Sequence, residues 1–215
     1  MNIFAINGSP RKHWNTAILL NKVLEGASSQ NANTELINLY DLEYSGCTSC
    51  FFCKRKDTEH GKCAMKDDLT SILERLNTAD AIVFGSPIYF MNITSGMASF
   101  LERFLFSNII YSIEIPTIYP KKIPSGFIYT MNIIEETADE YGIKMNLKAY
   151  QTVIGRVFGS SPALLFSYNT YQFTDYKKYE SSIFSEEKKA RHKAKQFPID
   201  CENAYNMGKN LIMNI

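Results

Sequence analysis

Short apolar runs alternate with longer amphipathic stretches along this chain. Asn2 to Ile6 is an apolar run that predicts a strand buried on both faces. It is followed by a helix with Leu20, Val23, Leu24 and Ala27 on one face, which Asn15 or Thr16 can cap through a side-chain oxygen. Polar Ser28 to Asn33 reads as a loop, and Thr34 to Leu39 as a second strand. Asp67 or Asp68 opens an amphipathic helix with Leu69, Ile72, Leu73 and Leu76 on one stripe. Ala81 to Phe84 is a third strand, and Ser95 can cap a helix bearing Met97, Phe100, Leu101 and Phe104. Three prolines mark residues 115–124 as an extended loop. Ser125 to Thr130 is a fourth strand, Glu135 to about Gly155 a helix, and Ala163 to Tyr168 a fifth strand. Ser185 to Gln196 reads as a charged helix, and Pro198 as the start of a last one docked by Leu211 and Ile212.

Strands alternating with helices imply a parallel sheet with helices on both faces. The 215 residues fit one α/β domain, carrying an irregular cysteine-bearing loop at 41–66 and a helical C-terminal extension from about 171 to 215. Hydrophobic residues make up 45% and charged residues 21%, which is a globular rather than a disordered composition. The net charge of +1 speaks against a nucleic-acid partner. No apolar run approaches the ~18 residues of a membrane helix, and Met1-Asn2-Ile3-Phe4 lacks the basic region of a secretory leader. With five cysteines, four of them clustered, the expected compartment is the reducing cytoplasm.

Gly-Ser-Pro occurs twice, each time after an apolar run: Gly8-Ser9-Pro10 and Gly85-Ser86-Pro87. The first loop leads into a helix N-terminus, whose free N–H groups and positive dipole end favour a phosphate. Ser9, Asn15 and Thr16 offer donors there, and Arg11 or Lys12 a positive charge. No Gly-Lys-Ser/Thr follows, so this is not a nucleoside-triphosphatase loop, and Gly-x-Gly-x-x-Gly is absent. Either loop alone is also compatible with an ordinary turn. In a flavodoxin-like sheet of order 2-1-3-4-5, however, strands one and three flank the switch point where ligands bind. Backbone N–H groups from Ile88 to Asn92 can then meet a flavin edge, with Pro87 in the same wall; Tyr89 or Phe90 can pack on a ring face, and Thr130 to Asn132 can complete the pocket.

These motifs resemble the NADPH-dependent FMN reductase branch of the flavodoxin-like superfamily. The resemblance rests on Gly8-Ser9-Pro10 with Asn15-Thr16, Cys47-x2-Cys50-x2-Cys53 with Cys63 and Asp67-Asp68, Gly85 to Phe90, and Phe100-Leu101-Glu102-Arg103. It covers about residues 1–170. It implies a doubly wound five-stranded parallel sheet, non-covalent FMN, NADPH or NADH as electron donor, and a homodimer or homotetramer with flavin near the interface. The implied activity is electron transfer through FMN to a small acceptor such as a flavin or quinone. The alternative is an electron carrier of the flavodoxin or iron–sulfur flavoprotein type, working with a protein partner. The chemistry expected is the flavin's, so no side chain is assigned a catalytic role.

Cys47, Cys50 and Cys53 are spaced by threes, and Cys63 follows after nine intervening residues. Such thiols can wrap an iron–sulfur cluster or zinc. The long last gap favours a metal-free reading in which they help to fold the loop, so no metal ligand is assigned. His13, His60 and His192 share no motif. The basic run from Lys188 to Lys193 reads as a solvated helix face, and the aromatic segment Tyr171 to Tyr176 as a cover for the flavin or for a partner subunit.

Overall fold

The computed structural model of the protein describes residues 1–213 and 215. Six strands and six α-helices follow one another: β1 (Asn2–Asn7), α1 (Asn15–Ser28), β2 (Asn33–Asn38), α2 (Leu69–Leu76), β3 (Ala81–Tyr89), β4 (Asn92–Ile93), α3 (Ser95–Asn108), β5 (Ser125–Thr130), α4 (Glu135–Glu140), α5 (Ile143–Phe158), β6 (Ala163–Ser167) and α6 (Glu186–Met213). Five strands form a parallel sheet of order β2-β1-β3-β5-β6, which is the expected order. The sixth, β4, is a two-residue antiparallel partner of the end of β3, so the expected count of five was one short. Two-residue strands carry no hydrophobic period to read.

Alternation along the strands splits the core in two. Phe4, Ile6, Ile82, Phe84, Phe127 and Tyr129 face the side covered by α2, α3 and α5. Ile3, Ala5, Ala81, Val83 and Ile128 face α1 and α6. The first side is aromatic: the ring of Phe84 lies 5.6 Å from Phe127 and 6.4 Å from Phe158. The buried residues of the second side are small and aliphatic.

Tertiary packing altered several local expectations. Asn15 and Thr16 lie inside α1 rather than capping it; Trp14, which has no side-chain acceptor, stands at the cap position. Thr94 rather than Ser95 caps α3, accepting from the Met97 N–H. The helix expected from Glu135 to Gly155 is broken at Gly142, whose φ of +65° ends α4 and lets α5 begin. Pro198 does not open a helix but lies inside α6. Proline removes one donor from the helical ladder. Packing along α1, through Ala204, Leu211 and Ile212, holds the helix together across it. Among the described residues no helix is long and apolar enough to cross a membrane.

Candidate functional site

The two Gly-Ser-Pro loops are joined to each other. The Gly8 N–H donates to the Gly85 carbonyl at 2.8 Å, extending the β1–β3 ladder by one bond. Both positions need glycine for space. A Cβ on Gly8 would stand 2.8 Å from the Met97 Cβ, and one on Gly85 would stand 2.7 Å from a Leu20 methyl. Thr94 ties the same corner, its hydroxyl donating to the Gly8 carbonyl at 2.7 Å and its N–H to the Ser86 Oγ at 3.0 Å.

A crevice opens beyond the C-terminal ends of β1, β3 and β5. Its first wall is Ser9, Arg11, Asn15 and Thr16, its second Pro87, Ile88 and Tyr89, and its third includes Thr130 and Asn132. These are nine of the eleven residues expected at the site. Phe90 and Asn92 are not on the wall. Phe90 and Met91 form the two-residue turn between β3 and β4, with φ of +47° and +61°, and Phe90 is 97% exposed. Asn92 turns its Oδ1 back to its neighbour Ile93. Two non-glycine residues in the left-handed region cost roughly 1–2 kcal/mol each, and the strain sits at the crevice mouth.

Trp14, Met131, Thr170, Tyr171 and Gln172 also line the crevice. The last three form a strap held over the first loop. The Tyr171 carbonyl accepts from the Trp14 Nε1 at 3.0 Å and the Asn15 Nδ2 at 2.9 Å, and the Gln172 carbonyl accepts from the Arg11 guanidinium at 2.8 Å. Thr16 and Thr130 share a buried hydroxyl bond of 2.8 Å across the floor. The aromatic density of 171–176 was the only hint of the strap in the sequence. It packs on itself, with Tyr171 and Phe173 both edge-on to Tyr176.

The crevice has the donors and acceptors that an FMN needs. At one end the first-turn N–H groups of α1 have no intrahelical partner, and Ser9 and Arg11 stand beside them. No acidic residue lies in that first turn to oppose a phosphate. Further along, the buried Asn132 Oδ1 and Gln172 Oε1 have no hydrogen-bond partner. Buried acceptors left open cost stability, so they suit a ligand that brings N–H groups.

Lys189 departs from its expected solvated face. It is only 2% exposed, while Lys188, Arg191 and Lys193 around it face solvent. Helical periodicity turns one residue of the run inward. Its Nζ donates to the Asn132 carbonyl at 2.7 Å and the Asn169 Oδ1 at 2.9 Å, and burial pulls its pKa down to about 8.

The cysteine loop forms a second locus. Cys47, Cys50, Cys53 and Cys63 all line one small cavity with Arg103. Cys53 is buried, which raises its pKa, Lys54 opposing and the other three thiols adding to the rise. Among the described residues no three His, Cys, Asp or Glu side chains converge on a single metal-ion position. The loop is pinned by α3. Glu102 accepts from the Cys47 N–H at 3.1 Å, the buried Arg103 pairs with Asp67, and Lys54 caps the Phe106 and Ile109 carbonyls at the end of α3. Phe100-Leu101-Glu102-Arg103 is part of the family resemblance in the sequence, but only the structure gives Glu102 and Arg103 this role.

Fold and crevice together define a flavodoxin-like α/β protein with its crevice at the topological switch point of the sheet. The chain belongs to the NADPH-dependent FMN reductase family, whose model matches residues 1–112. Among curated proteins it is similar to an iron-sulfur flavoprotein of Methanocaldococcus jannaschii, 36% identical over 103 residues that cover 48% of this chain and 51% of that protein. An iron-sulfur flavoprotein of Archaeoglobus fulgidus is 39% identical, covering 48% of each chain. The matched stretch thus spans about half the length of these curated relatives. Among solved structures, the NAD(P)H:quinone oxidoreductase of Methanothermobacter marburgensis superposes with a TM-score of 0.67 at 16% identity, over 99% of this chain and 97% of that one. An archaeal flavodoxin gives 0.51 at 14% identity, over 100% and 98%. At these identities the two structures speak for the fold.

Proposed function

We propose that the protein is an FMN-dependent oxidoreductase that takes electrons from NADPH or NADH and delivers them to a small acceptor such as a flavin or quinone. The observation that carries this reading is the crevice between the two joined Gly-Ser-Pro loops, with its helix N-terminus at one end and its open acceptors at the other. Bound FMN supplies the electron-transfer chemistry. The chain's residues bind and orient it. Ser9, Arg11 and the first turn of α1 would hold the phosphate, Pro87 to Tyr89 and Thr130 to Asn132 would flank the ring, and Asn132 and Gln172 would accept from its N–H groups. Tyr89 is 45% exposed, so the crevice mouth stays open for donor and acceptor to use in turn. Exposed Tyr89, Phe90 and Met91 at that mouth support a homodimer or homotetramer, checked by light scattering.

Titration of FMN into the purified protein, followed by anaerobic addition of NADPH, tests the reading: FMN fluorescence is quenched on binding, and the flavin absorbance then bleaches. A protein that takes up no FMN ends it. Arg11→Ala removes a charged hydrogen bond of about 1.5–3 kcal/mol. FMN affinity therefore falls about 10- to 100-fold, and riboflavin, which lacks the phosphate, loses less because only the strap contact of Arg11 is removed.

A second reading is favoured by the four thiols on one cavity: an iron–sulfur flavoprotein that hands electrons to a protein partner. The donor set fits a multi-iron cluster, which spreads its ligand sulfurs more widely than one ion does, and Arg103 and Lys54 stand by to offset its negative charge. Cys47, Cys50, Cys53 and Cys63 would hold it. Protein purified without oxygen should then contain iron and acid-labile sulfide, and Cys53→Ser should lose both. Iron-free protein returns the loop to a structural role.

A further inference from the structure

We propose that Lys189 is a positioning residue for the FMN crevice: its buried ammonium clamps the two loops that follow β5 and β6 and so holds the strap across the ligand site. The inference rests on the FMN reading for its ligand, but the clamp itself is a property of the chain.

The geometry is specific. An ammonium has three protons, and three acceptors surround this one: the Asn132 carbonyl at 2.7 Å, the Asn169 Oδ1 at 2.9 Å and the Thr170 carbonyl at 3.5 Å. Asn132 lies after β5 and lines the crevice; Asn169 and Thr170 lie after β6. The strap is thereby fixed at three successive carbonyls: Thr170 by Lys189, Tyr171 by Trp14 and Asn15, and Gln172 by Arg11. The Phe184 ring stands 4.9 Å from Nζ and helps to seal it from water.

Among the described residues no carboxylate pairs with this ammonium. Glu135 and Asp139 pair with Lys144, Asp175 with Lys178, and Glu187 with Arg191; Glu186 accepts from the Tyr171 hydroxyl. Asp200 is held by Ser167 and Gln196, and His192 lines the neighbouring cavity with it. Burial is accordingly the whole cause of the lowered Lys189 pKa of about 8. Tyr168 and Tyr171 nearby are pushed upward from their ordinary value, mainly by burial, and do not titrate in that range.

The sign follows. Below about pH 8 the ammonium serves all three acceptors. Above it the neutral amine stays out of water with two protons and a lone pair facing three oxygens, so one acceptor goes unserved and the clamp loosens without exposing the lysine. Global stability moves the other way: the unfolded chain holds this proton up to 10.5, so losing it near 8 favours the fold as pH rises between the two values. A crevice that loosens over this range is therefore not a protein that unfolds.

The experiment uses two readouts on the wild type, Lys189→Met and Lys189→Arg. The chain has a single tryptophan, Trp14, and it is bonded to the strap, so its emission in FMN-free protein reports the clamp directly. Wild-type emission should shift with a midpoint near pH 8. With binding confined to the clamped form, FMN affinity should fall about tenfold between about pH 7 and about pH 9. Lys189→Met should show neither step and bind FMN about tenfold or more weakly even at about pH 7. Lys189→Arg, charged throughout, should keep the affinity and lose the step; it carries the test alone should the Met variant not fold. Wild-type emission flat through pH 8, or a Met variant with the wild-type step, overturns the inference. A Trp14 step without FMN binding leaves the clamp standing and removes the cofactor reading instead.

Discussion

Arg103→Met is expected to destabilise the protein by about 3–5 kcal/mol, the cost of breaking a buried ion pair by removing one partner. The Arg103 side chain is fully buried and that of Asp67 is 18% exposed, so water screens the pair little. The guanidinium also donates to the Ser45 carbonyl at 3.3 Å and, more weakly, to the Met65 carbonyl at 3.5 Å. It therefore stitches both ends of the cysteine loop to α3. Burial works against its charge, and the hydrogen bond and charge of Asp67, together with Cys63, outweigh that and raise its pKa. Methionine fills a similar volume and keeps the apolar stem, so the loss reads the polar contacts rather than a cavity. Urea unfolding gives the stability change. Limited proteolysis of the folded variant should find new cuts between residues 41 and 66. A loss under about 1 kcal/mol would place the pair among solvated ones.

The second large effect comes from a single methyl group. A Cβ on Gly208 would stand 1.9 Å from the Val23 carbonyl oxygen, and one on Gly26 would stand 1.9 Å from the Tyr205 carbonyl oxygen. Both obstacles are backbone and cannot rotate away. Leu19, Leu20 and Val23 fix α1 in the core, so in Gly208→Ala it is α6 that must lift. Alanine gains about 1 kcal/mol over glycine in helix propensity, but overpacking costs typically 1–3 kcal/mol and more where nothing can yield. Here the clash decides, and a net loss of about 2 kcal/mol or more is expected. Gly155→Ala in α5 is the control. Its Cβ meets nothing nearer than 3.4 Å, so propensity decides and the variant should be as stable as the wild type or more so. Thermal melts of both variants suffice. Equal signs for the two would contradict the close crossing of α1 and α6. Because α6 carries Lys189, Gly208→Ala should also weaken FMN binding.

Much of the fold was legible because its signals are local. The five parallel strands sit where short apolar runs predict them, and β5 matches the expected Ser125 to Thr130. Strand order is written in no residue; it was expected from the flavodoxin-like resemblance, and the sheet has it. Boundaries that failed did so where a distant partner intervened. Asn15 and Thr16 looked like caps, but the helix begins at Asn15 and both turn to distant partners, Asn15 to Tyr171 and Thr16 to Thr130, 114 residues away. Pro198 looked like a helix start because its local cost is real, and only the α1–α6 contact shows why the helix continues through it. Phe90 looked like a ring-stacking residue, but the two-residue turn into β4 carries it out to solvent.

The sequence by itself determined the frame of the site. Apolar runs ending in Gly-Ser-Pro put glycine at two strand ends, and a parallel sheet makes those ends neighbours, so two walls of the crevice follow from local pattern and topology. Only the tertiary structure decided what holds the strap, the inward turn of Lys189 and the gathering of four thiols at one cavity. Trp14 and Tyr171 are 157 residues apart, and Arg103 meets Asp67 across 36. Pairings over such distances leave no period and no spacing in a single chain. They are settled when burial forces each polar group to find a partner, and that choice is made in three dimensions.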